Sequence, residues 1–278
     1  MNYGLYLNGQ VDYQLLKAIN QSSLKPLIHR SPKHYLHRLQ SPAASTKSQL
    51  RGTAGHCAVL EPERFEREYV VFDGARRAGK VWDAFEAEHA GKEILKADEY
   101  EAVLAFQRAV LNDPVAGPYF AGAGVNEATL YWRDALSGLE CKARADRIKP
   151  DAPTIVDLKG TKDASPKWFG RDAANYLYHM QAAFYSDGYQ AITGIAPRYV
   201  LVAVELAPPH DVVVYQVDEE TLAIGREEYR QALQKLVACR MVERWPGCAG
   251  NEELVLQLPR WAMPNEDDLA DLDLEWGT

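Results

Sequence analysis

The sequence predicts an α/β domain in which a mixed central sheet is flanked by helices, with a helical elaboration at the N-terminus. Three observations carry this. From Val125 onward, NEATLYWRD, LECKARADRI, TIVDLKG, RYVLVAVEL and DVVVYQVD show the period-two or continuously apolar patterning of strands. Stretches with apolar residues three and four apart stand before, between and after them, as amphipathic helices require. No clear linker interrupts the chain, so residues 1–264 read as one domain, with a helical part over 1–68 and a core over 120–242.

Taken in order, residues 11–60 read as helices: VDYQLLKAINQS, then SLKPLIHR after a Ser-marked break, then SPKHYLHRLQSP with Pro32 just inside its start. In LRGTAGHCAVLEPERF the small residues Gly52, Ala54, Gly55 and Ala58 allow close backbone approach, and Leu50, Ala54, Cys57, Val59 and Leu60 form a packed face. YVVF at 69–72 is a short strand. The following loop holds Arg76, Arg77 and Lys80 among glycines, and with Arg51 these are the candidate phosphate contacts. Helices are predicted over Lys80–Ala90 and Asp98–Asn112, the second capped by Asp98 and closed before Pro114. Among the strands, TIVDLKG is the most continuously apolar and therefore central. One long helix is predicted over Phe169–Ile192, where Gln181 and Tyr185 share a face with Leu177. The last, Glu219–Val242, has Leu222, Ile224, Tyr229, Leu233, Leu236 and Val237 at helical spacing.

Composition excludes several classes. No run of about 18 apolar residues exists, and the N-terminus has neither a basic nor an apolar leader region, so a soluble, cytoplasmic protein without membrane association is expected. The cysteines Cys57, Cys141, Cys239 and Cys248 lie far apart with no C-x-x-C, which argues against a zinc ribbon or a disulfide framework. The net charge of −8 is unevenly spread: residues 1–60 carry a net +6 and residues 265–278 a net −6. A basic N-terminal surface and an acidic, flexible tail can therefore coexist with DNA binding.

The chemistry concentrates in two adjacent strands. Asp146 lies near the end of one, and Asp157-Leu158-Lys159 on the next. Side chains two apart on a strand share a face, so Asp157 and Lys159 point together, and Asp146 can reach them from an antiparallel neighbour. Two carboxylates suit a hard cation such as Mg2+, and an adjacent ammonium can orient or deprotonate water and offset charge on a phosphoryl group. His56, Glu127, Gln181 and Tyr185 are further candidates.

The spacing of Asp146 from D-x-K at 157–159 resembles the PD-(D/E)xK nuclease signature, with Ala145 where proline is usual. GTAGHCAVLEP resembles the G-x-x-x-H motif upstream of that core in RecB-type and RecE-type (exonuclease VIII) nucleases. IVDLKGT resembles their metal and lysine motif, and YHMQAAFYSDGY their Q-x-x-x-Y helix. The resemblance spans about Ser22–Arg240 and is strongest to the RecE-like prophage exonucleases, similar in chemistry to lambda exonuclease.

That resemblance implies a restriction-endonuclease-like core and a Mg2+-dependent exonuclease, with Mn2+ as a substitute. Such an enzyme would degrade linear duplex DNA in the 5′ to 3′ direction, leaving 3′ strands for a RecT-like annealing protein in recombination. His56, Asp146, Asp157 and the Leu158 carbonyl would ligand the metal, Lys159 would position the water, and Glu127 would act through a second metal or its waters. Gln181 and Tyr185 would orient the site or the strand, and a homo-oligomeric ring is implied. Two alternatives stand beside it: a RecB-like nuclease of a helicase or CRISPR adaptation system, and a non-catalytic DNA-end-binding module.

Overall fold

The computed structural model describes residues 2–41, 47–259 and 262–263, without the side chains of 47–52. The acidic tail and the Arg51 side chain lie outside the described residues. The elements are β1 (Gly4–Tyr6), α1 (Gln21–His29), α2 (Pro32–Gln40), α3 (Lys47–Leu60), α4 (Pro62–Glu68), β2 (Tyr69–Phe72), α5 (Lys80–Glu88), β3 (Glu93–Lys96) and α6 (Ala97–Asn112). They continue with α7 (Gly117–Phe120), β4 (Val125–Arg133), β5 (Glu140–Lys149), β6 (Thr154–Thr161), α8 (Pro166–Tyr176), α9 (Tyr178–Thr193), β7 (Arg198–Glu205), β8 (Val212–Val217) and α10 (Glu219–Met241).

Six strands form a mixed sheet in the order β1-β4-β5-β6-β7-β8. Among the described strands of this sheet only β6 and β7 pair in parallel, joined by the crossover through α8 and α9. TIVDLKG, now β6, is internal as its apolar run requires. One sheet face packs under α1, α9 and α10 through residues such as Leu24, Met180, Phe184 and Leu233 against Leu130, Ile155 and Leu201. The other packs under α3 and α6, where Val59, Leu60, Phe106 and Val110 meet Val156, Leu158 and Val202. Beside this sheet, β2 and β3 make a separate parallel pair.

Close approach explains the small residues of α3: a Cβ on Gly55 would lie 3.1 Å from the Phe106 ring of α6. At Gly225, α10 comes so near α9 that a Cβ would stand 2.2 Å from the His179 carbonyl oxygen. Both contacts fix helices that carry site residues.

Several expectations are corrected. Residues 11–20 are turns rather than a helix. Ile19 bridges to Cys141 beside β5, and the buried Lys142 ammonium donates to the Tyr13 and Leu16 carbonyls at 2.7 Å each, so those carbonyls are held by a cation instead of a helical N–H. The first helix begins at Gln21, where the Asn20 side chain accepts from the Ser23 N–H, and it runs through Ser22 and Ser23 without the expected break. The residue preceding α6 is Lys96 rather than Asp98, with the Glu99 carboxylate accepting its N–H at 3.0 Å. The long helix is two, because Leu177 adopts φ +58° between α8 and α9. Ile224 is 55% exposed and no part of the α10 core face.

Candidate metal and nuclease site

The site forms where β4, β5 and β6 lose their regular pairing. β4 and β5 pair in antiparallel register on either side of Glu127 and Asp146, but not at those two residues. Glu127 has φ +51°, a conformation that costs a side-chain-bearing residue on the order of 1–3 kcal/mol and is kept where a functional site requires it. Alternation breaks at the same level, since Ala145 and Ile148, three apart on β5, face the same core. The β5–β6 ladder ends at Arg147 and Val156, one step before Asp146 and Asp157 would pair. In the opening, the Leu158 N–H donates instead to Asp146 Oδ2 at 2.8 Å.

Helix α3 delivers His56 to this opening. The Asn126 side chain, next to Glu127, donates to the Leu60 carbonyl at the end of α3 at 2.5 Å and accepts from Arg147 at 2.6 Å. One turn back, His56 Nε2 stands 2.8 Å from Asp146 Oδ2, and its Nδ1 3.6 Å from Glu127 Oε1. Ligand atoms of His56, Glu127 and Asp146 all lie within 4.8 Å of one another.

A second group adjoins the first. Lys159 Nζ lies 2.6 Å from Asp157 Oδ2 and donates to Gln181 Oε1 at 3.2 Å, while Gln181 Nε2 donates to Asp157 Oδ1 at 2.9 Å. The turn at Leu177 starts α9 anew and brings Gln181 over β6. Its carbonyls are caught by α1, where Lys25 Nζ donates to Tyr176 O at 2.7 Å and Gln21 Nε2 to Leu177 O at 3.2 Å. Tyr185 is set deeper, its ring edge-on to the buried Tyr199 at 6.4 Å, and burial raises its phenol well above the usual range.

Charge is finely balanced. Burial alone would lower His56, but Asp146 and then Glu127 raise it to about 9. Burial would raise Asp146, yet the His56 imidazolium holds it below the usual carboxylate range. Burial and the Asp146 charge push Glu127 up to about 7. Asp157, 1% exposed, is raised to about 6 by burial, against the pull of Lys159. Lys159 itself is kept charged, since the attraction of Asp157 and Asp146 outweighs its burial. Lys25 is lowered to about 8 by burial and by the neighbouring Lys159 ammonium.

Glu127, which the sequence offered only at second rank, belongs to the metal-competent trio. Asp157 lies beside this trio, 2.6 Å from Lys159 Nζ and bonded by Gln181 through its other oxygen. Two neighbours escaped sequence reasoning. Arg144 NH1 lies 3.9 Å from Glu127 Oε2, its guanidinium stands 4.5 Å over the Tyr13 ring, and its buried Nε has no hydrogen-bond partner among the described residues. Tyr178 lies 4.7 Å from Lys159 Nζ. Arg144 stands two residues before Asp146, a spacing that could have flagged it; Tyr178 depended on the unforeseen turn. Of the basic loop, Arg77 is committed to Glu99 at 2.5 Å and to the Ile94 carbonyl, while Arg76 and Lys80 are exposed.

Residues 20–257 match the model of the PDDEXK-like domain of unknown function, DUF3799. The chain belongs to that family. Its fold is shared with a candidate exonuclease from Eubacterium rectale, at 13% identity and TM-score 0.61 over 97% of this chain and 99% of that one. Lower similarity links this PDDEXK-like chain to a phage-related exonuclease from Haemophilus somnus 129PT, at 16% identity and TM-score 0.34, covering 74% of this chain and 93% of that one. An alkaline exonuclease from Laribacter hongkongensis matches at 12% identity and TM-score 0.29, over 68% and 91% respectively. TM-scores this low carry no structural argument. None of the curated proteins matches in sequence. The six-stranded sheet flanked by helices is thus a restriction-endonuclease-like core, and membership of a PDDEXK-like family supports a nuclease. Among the described residues no helix is long and apolar enough to cross a membrane.

The donor set of this PDDEXK-like chain fits a divalent cation. It offers two carboxylates and an imidazole, and the adjacent buried Asp157 Oδ2 lacks a well-directed hydrogen bond even though Lys159 Nζ is 2.6 Å away.

Proposed function

We propose that this chain is a divalent-metal-dependent exodeoxyribonuclease acting on linear duplex DNA in the 5′ to 3′ direction. The reading rests above all on the gathering of His56, Glu127 and Asp146 beside the Asp157–Lys159 pair. His56, Glu127 and Asp146 would hold Mg2+ or Mn2+, with Asp157 and the Leu158 carbonyl as further oxygen donors. When bound, the cation neutralises phosphate charge and lowers the pKa of water.

The chain's own groups do the rest. Lys159 carries its ammonium in the opening, 16% exposed, where it can hold a water or a phosphate oxygen by charge-assisted hydrogen bonds. Gln181 bridges Lys159 and Asp157 and so fixes both rotamers. Tyr185 supports the α9 face behind them. Arg144, with its guanidinium 4.5 Å over the Tyr13 ring and its side chain 37% exposed, would take a phosphate oxygen of the substrate strand through its outer nitrogens. Arg51, Arg76 and Lys80 would add non-specific phosphate contacts.

Polarity, the recombination role, the RecT-like annealing partner and a ring-shaped oligomer follow from the resemblance to RecE-like exonucleases. Digestion of duplex labelled at its 5′ or its 3′ end tests the polarity. Early release of the 5′ label as mononucleotide is expected, and early release of the 3′ label would reverse the direction.

A further inference from the structure

Helix α8 and the turn after it carry a surface that the reaction centre does not use. Phe169 is the one buried residue of this eleven-residue helix, whereas Trp168 and Tyr176, two turns apart, are 50 and 53% exposed. Arg171 lies over the Trp168 ring at 5.1 Å. Tyr176 stacks on Tyr178 with centroids 5.7 Å apart and planes at 29°, and Tyr178 in turn lies 4.7 Å from Lys159 Nζ. An aromatic path therefore leads from the exposed end of α8 to the ammonium of the candidate site. It is held rigid where it turns, because Lys25 and Gln21 bind the carbonyls of Tyr176 and Leu177.

The charge on this face favours one kind of occupant. Its exposed residues include Lys167 and Arg171 and no acid. The one acid of α8, Asp172, lies between the two rings, one turn from each, but is half-buried and turned to the Thr161 hydroxyl, from which it accepts at 3.1 Å. Exposed rings bordered by cations on the Trp168 side match a chain of stacked bases and phosphates, and only an unpaired strand can present its base faces to them. We infer that Trp168, Tyr176 and Tyr178 form a stacking platform for unpaired bases of the DNA strand that runs to or from the reaction centre. This inference rests on the nuclease reading and names a part of the substrate that the metal-binding residues do not touch.

The test uses the full chain with Ca2+ in place of Mg2+, and a single-stranded oligonucleotide containing 2-aminopurine. Trp168→Ala and Tyr176→Ala are each expected to weaken single-strand binding about tenfold, and to reduce the quenching of 2-aminopurine. Tyr176→Phe keeps the ring and should bind as the wild type does. Wild-type protein with no measurable single-strand affinity overturns the inference, as do alanine variants that bind unchanged or a Tyr176→Phe variant as weak as Tyr176→Ala. Digestion of linear duplex by the wild type in Mg2+ judges the nuclease reading separately: an inactive wild type sinks that reading, while the binding comparison decides the platform.

Discussion

Replacing Lys159 by methionine would leave a carboxylate buried without its partner. Asp157 is 1% exposed and Lys159 Nζ stands 2.6 Å from it, so the variant keeps the side-chain length but removes the charge. Breaking a buried pair in this way costs about 3–5 kcal/mol when the remaining charge cannot escape. Here Asp157 can take up a proton, because its pKa is already about 6, and Gln181 still bonds it. The loss should therefore sit near the lower bound, about 3 kcal/mol at pH 8, or roughly 6–9 °C in Tm for a chain of this size.

The pH dependence follows from the same pair. A carboxyl raised to about 6 when folded contributes stability below its unfolded value near 4, and that contribution fades as the pH rises through 6. Without Lys159 the pKa climbs further and the fading extends to higher pH. The gap between wild type and Lys159→Met should thus be small at pH 5 and largest at pH 8. Urea unfolding at the two pH values measures it, with the double variant Asp157→Asn/Lys159→Met recovering much of the loss. An equal gap at both pH values, or additive effects in the double variant, would refute the reasoning.

Two further outcomes can be checked directly. Metal binding must displace protons from His56, raised to about 9, and Glu127, raised to about 7, so Mn2+ affinity should rise from pH 6 to pH 8.5 with proton release in calorimetry; flat affinity would contradict this. Asn126→Ala orphans the Leu60 carbonyl and one arm of Arg147, so it should cost about 1–3 kcal/mol in unfolding and also weaken Mn2+ binding by freeing α3; metal affinity unchanged in that variant would show that Asn126 does not position His56.

The strands β4 to β8 were legible because β-branched and aromatic residues alternate there, or run unbroken in the centre. The three residues of β1 give no periodicity to read. VDYQLLKAINQS has helical spacing, and no local signal announces that Lys142, more than a hundred residues away, captures two of its carbonyls. The turn at Leu177 was hidden for a similar reason: a left-handed leucine carries no Gly or Pro signature, and Gln21 and Lys25 supply the partners that hold it. At the site, Asp146, Asp157, Lys159 and His56 could be picked out by motif. The division of labour could not, because it depends on the interrupted ladder at Glu127 and Asp146 and on which carboxylate the lysine meets first.

Release of acid-soluble nucleotides from linear duplex DNA, with Mg2+ or with chelator, by wild type and by Asp146→Asn, bears most directly on the metal centre. Asparagine keeps an oxygen that can accept the Leu158 N–H but removes the charge that faces His56 and the cation. Rapid release by the wild type, dependent on Mg2+, with loss of several orders of magnitude in a folded Asp146→Asn, is the expected result. Equal rates for the two proteins, or hydrolysis by wild type that persists in chelator, would contradict it.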